Sequence, residues 1–249
     1  MGASGLIEFQ NVGHRYESGG GQVVLDDVDL RLPERRVAFV GANGSGKSTL
    51  ARTINGLVRP TSGRVLVNGL DPAREGRAVR KRVGFLFTDP DSQIVMPTAG
   101  EDVAFSLRHQ GGRHQGGRHQ GGRHQDGRPS RKERERLAAE ALAEHGLAGY
   151  EQHPAHQLSG GQKQLLALCS MLVLRPEVLV CDEPTTLLDL RNKRRFVELL
   201  GRLEQQVVLV THDLDLLGEF DRVVVLDDGR VVADDVPQRA LPRYRELAG

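Results

Sequence analysis

The chain has 249 residues, 38% of them hydrophobic, which is enough to build a sizeable core in one large domain or a domain with subdomains. Thirty-four Lys and Arg against 33 Asp and Glu leave a net charge of +1, so no long-range field recruits nucleic acid or an anionic membrane. The longest apolar stretch, "LLALCSMLVL" at 165–174, is far short of the roughly 18 to 20 residues that span a bilayer.

The start "MGASGLIEFQ" lacks the basic and apolar regions of a secretory signal, and Leu6 stands where a myristoylation motif needs Ser or Thr, so a cytoplasmic chain is expected. "LIEFQNV" and "VDLRL" alternate as strands do around glycines 19 to 21 and predict a small antiparallel sheet. "RVAFVG" then reads as a short buried strand, and "GKSTLARTINGLV" as a helix closed by Gly56 and Pro60. "GRVLVNG" and "VGFLF" are further strands.

Within residues 108–128 a five-residue word occurs four times, three times as RHQGG and last as RHQDG. Glycine pairs every five residues forbid a stable helix. The same spacing sets His109, His114, His119 and His124 about 140° apart on a helix and on opposite faces of a strand, so no regular element gathers them. A flexible insertion is the expected reading, with binding of Ni²⁺, Co²⁺ or Zn²⁺ as the alternative. The helix that follows, over 130–145, has Ser130 as N-cap and Glu133 three residues on. From 160 the order is helix, strand "VLVCD", helix "RNKRRFVELLGRLEQ", strand "VVLVT", helix, strand "RVVVLD". That alternation predicts a mainly parallel sheet covered on both faces. Cys169 and Cys181 fall in apolar segments and read as reduced core thiols.

Three short segments carry chemistry. "GANGSGKST" satisfies G-x-x-x-x-G-K-[ST] between a strand and a helix. Gly41, Gly44 and Gly46 let the amides of the loop, Asn43 and Ser45 included, turn toward phosphates. Lys47 reaches the β- and γ-phosphates, Ser48 ligates Mg²⁺, and Thr49 follows in the first turn. "VLVCDEPT" ends a strand in two acids: Asp182 to hold Mg²⁺ through water and Glu183 to orient and deprotonate the attacking water. "LSGGQ", with Ser159, Gly160, Gly161 and Gln162, is by itself a serine cap opening a helix.

Taken together in one chain, these segments resemble the phosphate loop, acidic strand and signature of ATP-binding-cassette (ABC) ATPases. The resemblance implies a P-loop α/β core with a mainly parallel sheet, an N-terminal antiparallel β subdomain and an inserted helical subdomain. The expected division is 1–87 with 159–249 for the core and 88–158 for the insert, which holds the repeat at 108–127. By the same resemblance Tyr16, otherwise an ordinary surface tyrosine, stacks on adenine, and His212 in "LVTHD" contacts the γ-phosphate. Lys47, Glu183 and His212 are then the catalytic set. Ser159, Gly160, Gly161, Gln162 and Asp189 serve the site of a second chain, in a homodimer or with a paralogue.

"FLFTDPDSQIVMPTAGEDVAFSL" at 85–107 is similar to ATPases of energy-coupling-factor importers, which implies a vitamin or a transition-metal ion as cargo. Biotin is favoured because the segment most resembles the biotin-transporter ATPase. The resemblance implies a membrane coupling (T) protein and a substrate-binding membrane (S) subunit as partners, a peripheral place on the cytoplasmic face of the membrane, and no nucleic acid. The alternative is a soluble ABC ATPase acting on DNA or ribosomes. One position departs from the family: Thr88 stands where most members have a glutamine that contacts Mg²⁺ and the attacking water. Either Thr88 or Gln93 is a candidate to take over that role. Leu165 likewise replaces a frequent arginine.

Overall fold

A computed structural model describes residues 6–16, 21–109 and 129–248. In chain order the elements are β1 (Ile7–Arg15), β2 (Val23–Leu32), β3 (Arg36–Val40), α1 (Lys47–Ile54), β4 (Ser62–Val67), α2 (Pro72–Arg80), β5 (Val83–Leu86), α3 (Ala99–Ser106), α4 (Arg131–Glu144), α5 (Gly160–Leu172), β6 (Val178–Asp182), α6 (Leu190–Arg202), β7 (Gln206–Val210), β8 (Arg222–Asp227), β9 (Arg230–Asp235) and α7 (Pro237–Ala248). They fall into two compact units, one made of residues up to Thr88 together with Pro176 onward, the other of Asp89–Arg175.

The first unit holds two sheets. β2, β1 and β4 pair antiparallel in that order, as the alternating N-terminal pattern predicts. The larger sheet runs β5-β6-β7-β3-β8-β9, parallel throughout except for the β8–β9 hairpin at its edge. β3, β6 and β7 are buried at every residue, which is why each reads as a short apolar run with a polar residue only at one end. The mainly parallel core and antiparallel N-terminal sheet are those expected. Because the strands run in parallel, their carboxyl ends share one edge, and the loops after β3, β5, β6 and β7 all leave from it.

The second unit is helical. Ala99, Val103, Ala138, Leu142, Leu166 and Cys169 from α3, α4 and α5, with Leu158 just before α5, belong to its core, and Leu165 packs against that core, a use that suits leucine better than arginine. The Ser130 hydroxyl accepts the Glu133 amide at 3.2 Å, so the predicted cap of α4 is made. Most of the RHQGG repeat lies outside the described residues, and so do Gly19 and Gly20.

The structure departs from expectation in two places. The boundary back to the core falls after Arg175, not before Ser159, because α5 buries its apolar face against α3 and α4. Where a helix was expected between "VVLVT" and "RVVVLD", there is only a 3-10 turn, Leu214–Leu216. The chain has about ten residues to return to β8 there and buries Leu217 on the way, which a single tight turn allows. α2, β9 and α7 were not anticipated. α2 carries a readable start, with Asp71 accepting the Ala73 amide and Pro72 at its first position, but its Arg-rich sequence hides the apolar period. Among the described residues no helix is long and apolar enough to cross a membrane.

Cys169 and Cys181 are both free and buried. Burial pushes the Cys169 thiol up to about 12 and raises Cys181 as well. Since only the thiolate attacks disulfide reagents, the folded chain at pH 8 should show no fast-reacting thiol at either position, and both should react once guanidinium unfolds it. A stoichiometric reaction of either cysteine in the native protein would contradict this burial.

Candidate functional site

The site grows from the shared carboxyl edge of the parallel strands. After β3 the chain turns through Gly41 to Gly46 and enters α1 without any side-chain cap, so the first amides of the helix are left to point at an incoming anion. Glycine is required at two of these positions. A Cβ on Gly41 would stand 2.1 Å from the Leu226 carbonyl and 2.6 Å from Ser45 Oγ, and one on Gly46, at φ 98°, would meet the Val24 carbonyl at 2.5 Å.

Lys47 is buried, and its ammonium donates to the carbonyls of Gly41 at 2.9 Å and Ala42 at 2.7 Å. Burial lowers its pKa, while the nearby charges of Glu183 and Asp182 act the other way. From β6, the buried Asp182 accepts the Ser48 hydroxyl at 2.7 Å on one carboxylate oxygen and the Arg52 guanidinium at 2.9 Å on the other. Arg52 was not foreseen. The signal was its spacing: four residues after Ser48, one turn up the same face of α1.

Glu183 follows at φ 49°, a left-handed conformation that costs a non-glycine residue on the order of 1–3 kcal/mol. Its amide donates to the Val210 carbonyl at 3.0 Å, and its Oε2 accepts the Thr186 hydroxyl at 3.3 Å and lies 3.6 Å from His212 Nδ1. Thr88, just past β5, donates its hydroxyl to the Asp182 carbonyl at 2.7 Å. Behind His212, Asp213 accepts the Thr185 hydroxyl at 3.0 Å and the Lys193 ammonium at 2.9 Å. Burial alone would raise the Asp213 carboxyl, but the hydrogen bonds from Lys193 and Thr185, with the charges of Lys193 and His212, hold it below the usual carboxylate range. This second ion pair was also missed, since its members are far apart in sequence and match no motif.

Of the sequence-predicted residues, Gly41, Asn43, Gly44, Ser45, Gly46, Lys47, Ser48, Thr49, Thr88, Asp182, Glu183 and His212 all lie in the first unit. Tyr16 belongs there too: it is 41% exposed, stacks edge-on against His14 at 4.6 Å, and shares a hydrogen bond with Thr49 Oγ1 at 3.4 Å, beside the start of α1. Asp189 caps α6 by accepting the Asn192 amide at 2.9 Å. Ser159, Gly160, Gly161 and Gln162 belong to the second unit. There the exposed Ser159 accepts the Gln162 amide at 3.3 Å while Gln162 Oε1 accepts the Ser159 amide at 2.8 Å, a reciprocal capping box. Gln93 closes the 3-10 turn Pro90–Ser92 in the same unit, its amide donating to the Pro90 carbonyl at 3.0 Å.

These residues fit a magnesium triphosphate. Ser45 Oγ is buried inside the glycine loop with no hydrogen-bond partner among the described residues, and the loop has no space for a Cβ at Gly41 or Gly46. Ser48 and Asp182 supply the hard oxygen donors that Mg²⁺ prefers. Comparison with known proteins shows the family. The family model described as "ABC transporter" matches residues 25–186. The chain is 39% identical to the biotin transport ATP-binding protein BioM of Rhizobium etli, across 97% of this chain and 99% of that one. It is 36% identical to the energy-coupling factor transporter ATP-binding protein EcfA1 of Caldanaerobacter subterraneus subsp. tengcongensis, across 97% and 84%. Among solved structures it is similar to cbiO1 of Clostridium perfringens, part of the ABC transporter complex cbiONQ, with a TM-score of 0.77 and 27% identity over 97% of this chain and 92% of that one. The fold is that of a P-loop ABC ATPase. The chain belongs to the ABC transporter family, as an ATP-binding cassette that hydrolyses ATP in the service of transport.

Replacing Asp182 by Asn removes the charge that Ser48 and Arg52 bond, the candidate partner of Mg²⁺, while keeping the shape. The Mg²⁺ concentration for half-maximal ATP turnover should then rise by about 10- to 100-fold, the scale for losing an outer-shell partner of a metal. An unchanged Mg²⁺ requirement would remove Asp182 from the metal site.

Proposed function

We infer that the chain is the ATP-hydrolysing subunit of an energy-coupling-factor importer whose cargo is biotin. The observation that carries the hydrolytic part is the juxtaposition at the strand ends: the Ser48 hydroxyl on Asp182 at 2.7 Å, with Lys47 in the glycine loop and Glu183 next along the chain. The importer type is supported by the similarity to EcfA1, and the cargo by the near full-length similarity to BioM.

In this reading Lys47 leaves the Gly41 and Ala42 carbonyls to meet the β- and γ-phosphates, and Ser48 and Asp182 hold Mg²⁺. Mg²⁺ supplies neutralisation of the charge that develops on the phosphate oxygens. Glu183 accepts the proton of the attacking water, and His212, 3.6 Å from it, orients the γ-phosphate. Tyr16 offers its ring to adenine. A second copy closes head to tail, so that Ser159, Gly160, Gly161 and Gln162 present the start of α5 to the triphosphate held by its partner, with Asp189 signalling across the pair. An exposed helix start is an anion site that needs a phosphate delivered to it, which fits this arrangement. Leu187 and Leu190, flanking Asp189, are 63% and 61% exposed, apolar area that a partner chain would cover. The dimer works at the cytoplasmic face of the membrane on a T protein, which carries an S subunit that selects the cargo.

Glu183→Gln should bind ATP yet lose turnover by about 10² to 10⁴. Tagged, trapped with ATP in native membranes and gently solubilised, that variant should copurify with a transmembrane coupling protein and a small membrane subunit, and the recovered complex should bind labelled biotin. Recovery of only soluble proteins, ribosomes or DNA would overturn the transport reading, and recovery of membrane subunits that ignore biotin would overturn the cargo.

A further inference from the structure

The peptide group that joins Asp182 to Glu183 is held from both neighbouring strands. Its N–H donates to the Val210 carbonyl at the end of β7, at 3.0 Å. Its C=O accepts the Thr88 hydroxyl from just beyond β5, at 2.7 Å. A peptide is planar, so two bonds pulling on its opposite polar atoms fix the rotation of the whole plane. That rotation sets ψ of Asp182 and φ of Glu183. The second of these is 49°, a region from which a glutamate would otherwise relax. The direction of the Glu183 carboxylate, and with it the approach of Oε2 to Thr186 at 3.3 Å and His212 at 3.6 Å, follows from this torsion.

We propose that Thr88 is a positioning residue for hydrolysis: its hydroxyl, bonded to the Asp182 carbonyl, locks the peptide that aims Glu183 at the attacking water. The proposal rests on the reading of Glu183 as the base. It gives the hydroxyl at this position a main-chain acceptor, where the family's glutamine, a longer and freer side chain, would reach toward the metal. Threonine suits the task because its short, β-branched side chain has few rotamers to choose among. A valine keeps nearly the same shape and removes the donor; a serine keeps the donor.

The test is steady-state ATP hydrolysis by the full chain in five forms: unaltered, Thr88→Val, Thr88→Ser, Glu183→Gln, and Thr88→Val with Glu183→Gln. ATP and Mg²⁺ are varied separately, and MgATP affinity is measured with a fluorescent nucleotide. Thr88→Val should lower kcat by roughly 3- to 10-fold, the scale of one hydrogen bond, and leave KM, nucleotide affinity and the Mg²⁺ half-saturation unchanged. Thr88→Ser should recover most of the loss. On the Glu183→Gln background, Thr88→Val should cost nothing further, since both act through one carboxylate. An unaltered kcat in Thr88→Val, with Glu183→Gln inactive, would overturn the role of Thr88 alone. So would a loss expressed as a higher Mg²⁺ half-saturation, which would put the hydroxyl on the metal, or a failure of serine to rescue. Unchanged turnover in Glu183→Gln would instead defeat the base assignment, and the role of Thr88 with it.

Discussion

Hydrogen bonds to main-chain carbonyls lace the carboxyl ends of four parallel strands together. The Thr88 hydroxyl binds the Asp182 carbonyl, the Glu183 amide binds the Val210 carbonyl, and the Thr211 amide binds the Phe39 carbonyl, linking the ends of β5, β6, β7 and β3 in turn. The glycine loop, the acidic pair and His212 in the first unit all hang from that row. The glycine loop leaves from β3, Asp182 and Glu183 from the end of β6, and His212 follows β7. Two of these contacts continue the hydrogen-bonding of the sheet beyond the regular strands, so the positions of Asp182, Glu183 and His212 are set by strand register rather than by loose loops. The strain at Glu183 is tolerable for the same reason: its neighbours over-determine the conformation.

The second unit solves a different problem, which is to hold a helix start rigid while leaving it exposed. The Ser159–Gln162 capping box satisfies amides at the head of α5. Further along, Ser170 of the same helix donates to the buried Asp102 at 2.8 Å, and the other oxygen of Asp102 accepts the amides of Val95 and Met96 at 2.9 and 3.1 Å. A buried carboxylate with three donors therefore ties the "IVMPT" segment to the helix that carries the signature. Lys163 adds an ion pair to Asp91 at 2.7 Å. The "DPDSQ…EDVAF" pattern is thus also a set of structural anchors, and Asp91 and Asp102 are two of them.

Much of this was legible in the sequence. Buried parallel strands read as apolar runs, and the glycine loop, the acidic strand end and the signature are local patterns whose chemistry can be argued residue by residue. What escaped were relations between distant residues: Arg52 against Asp182, Thr185 and Lys193 against Asp213, and Thr88 against the peptide of Asp182. Sequence alone suggested Thr88 as a shortened metal ligand, because a hydroxyl shows its chemistry but not its neighbour. The helix expected after "VVLVT" failed for a related reason: local pattern does not reveal how few residues remain to reach the next strand. The placement of the core boundary failed because α5 packs with the helices before it, which depends on tertiary burial.

In the proposed dimer one chain's Ser159 completes the site that another chain's Lys47 begins. The direct measurement mixes two inactive full-length variants, Lys47→Ala, with an intact signature, and Ser159→Arg, with an intact phosphate loop, and follows ATP hydrolysis as their ratio changes. Turnover absent from each alone and restored in the mixture, highest near equal amounts, is the expected result, since each mixed dimer carries one complete site. A mixture as inactive as its parts, or a Ser159→Arg chain that hydrolyses ATP by itself in proportion to its concentration, would contradict a site shared between two copies.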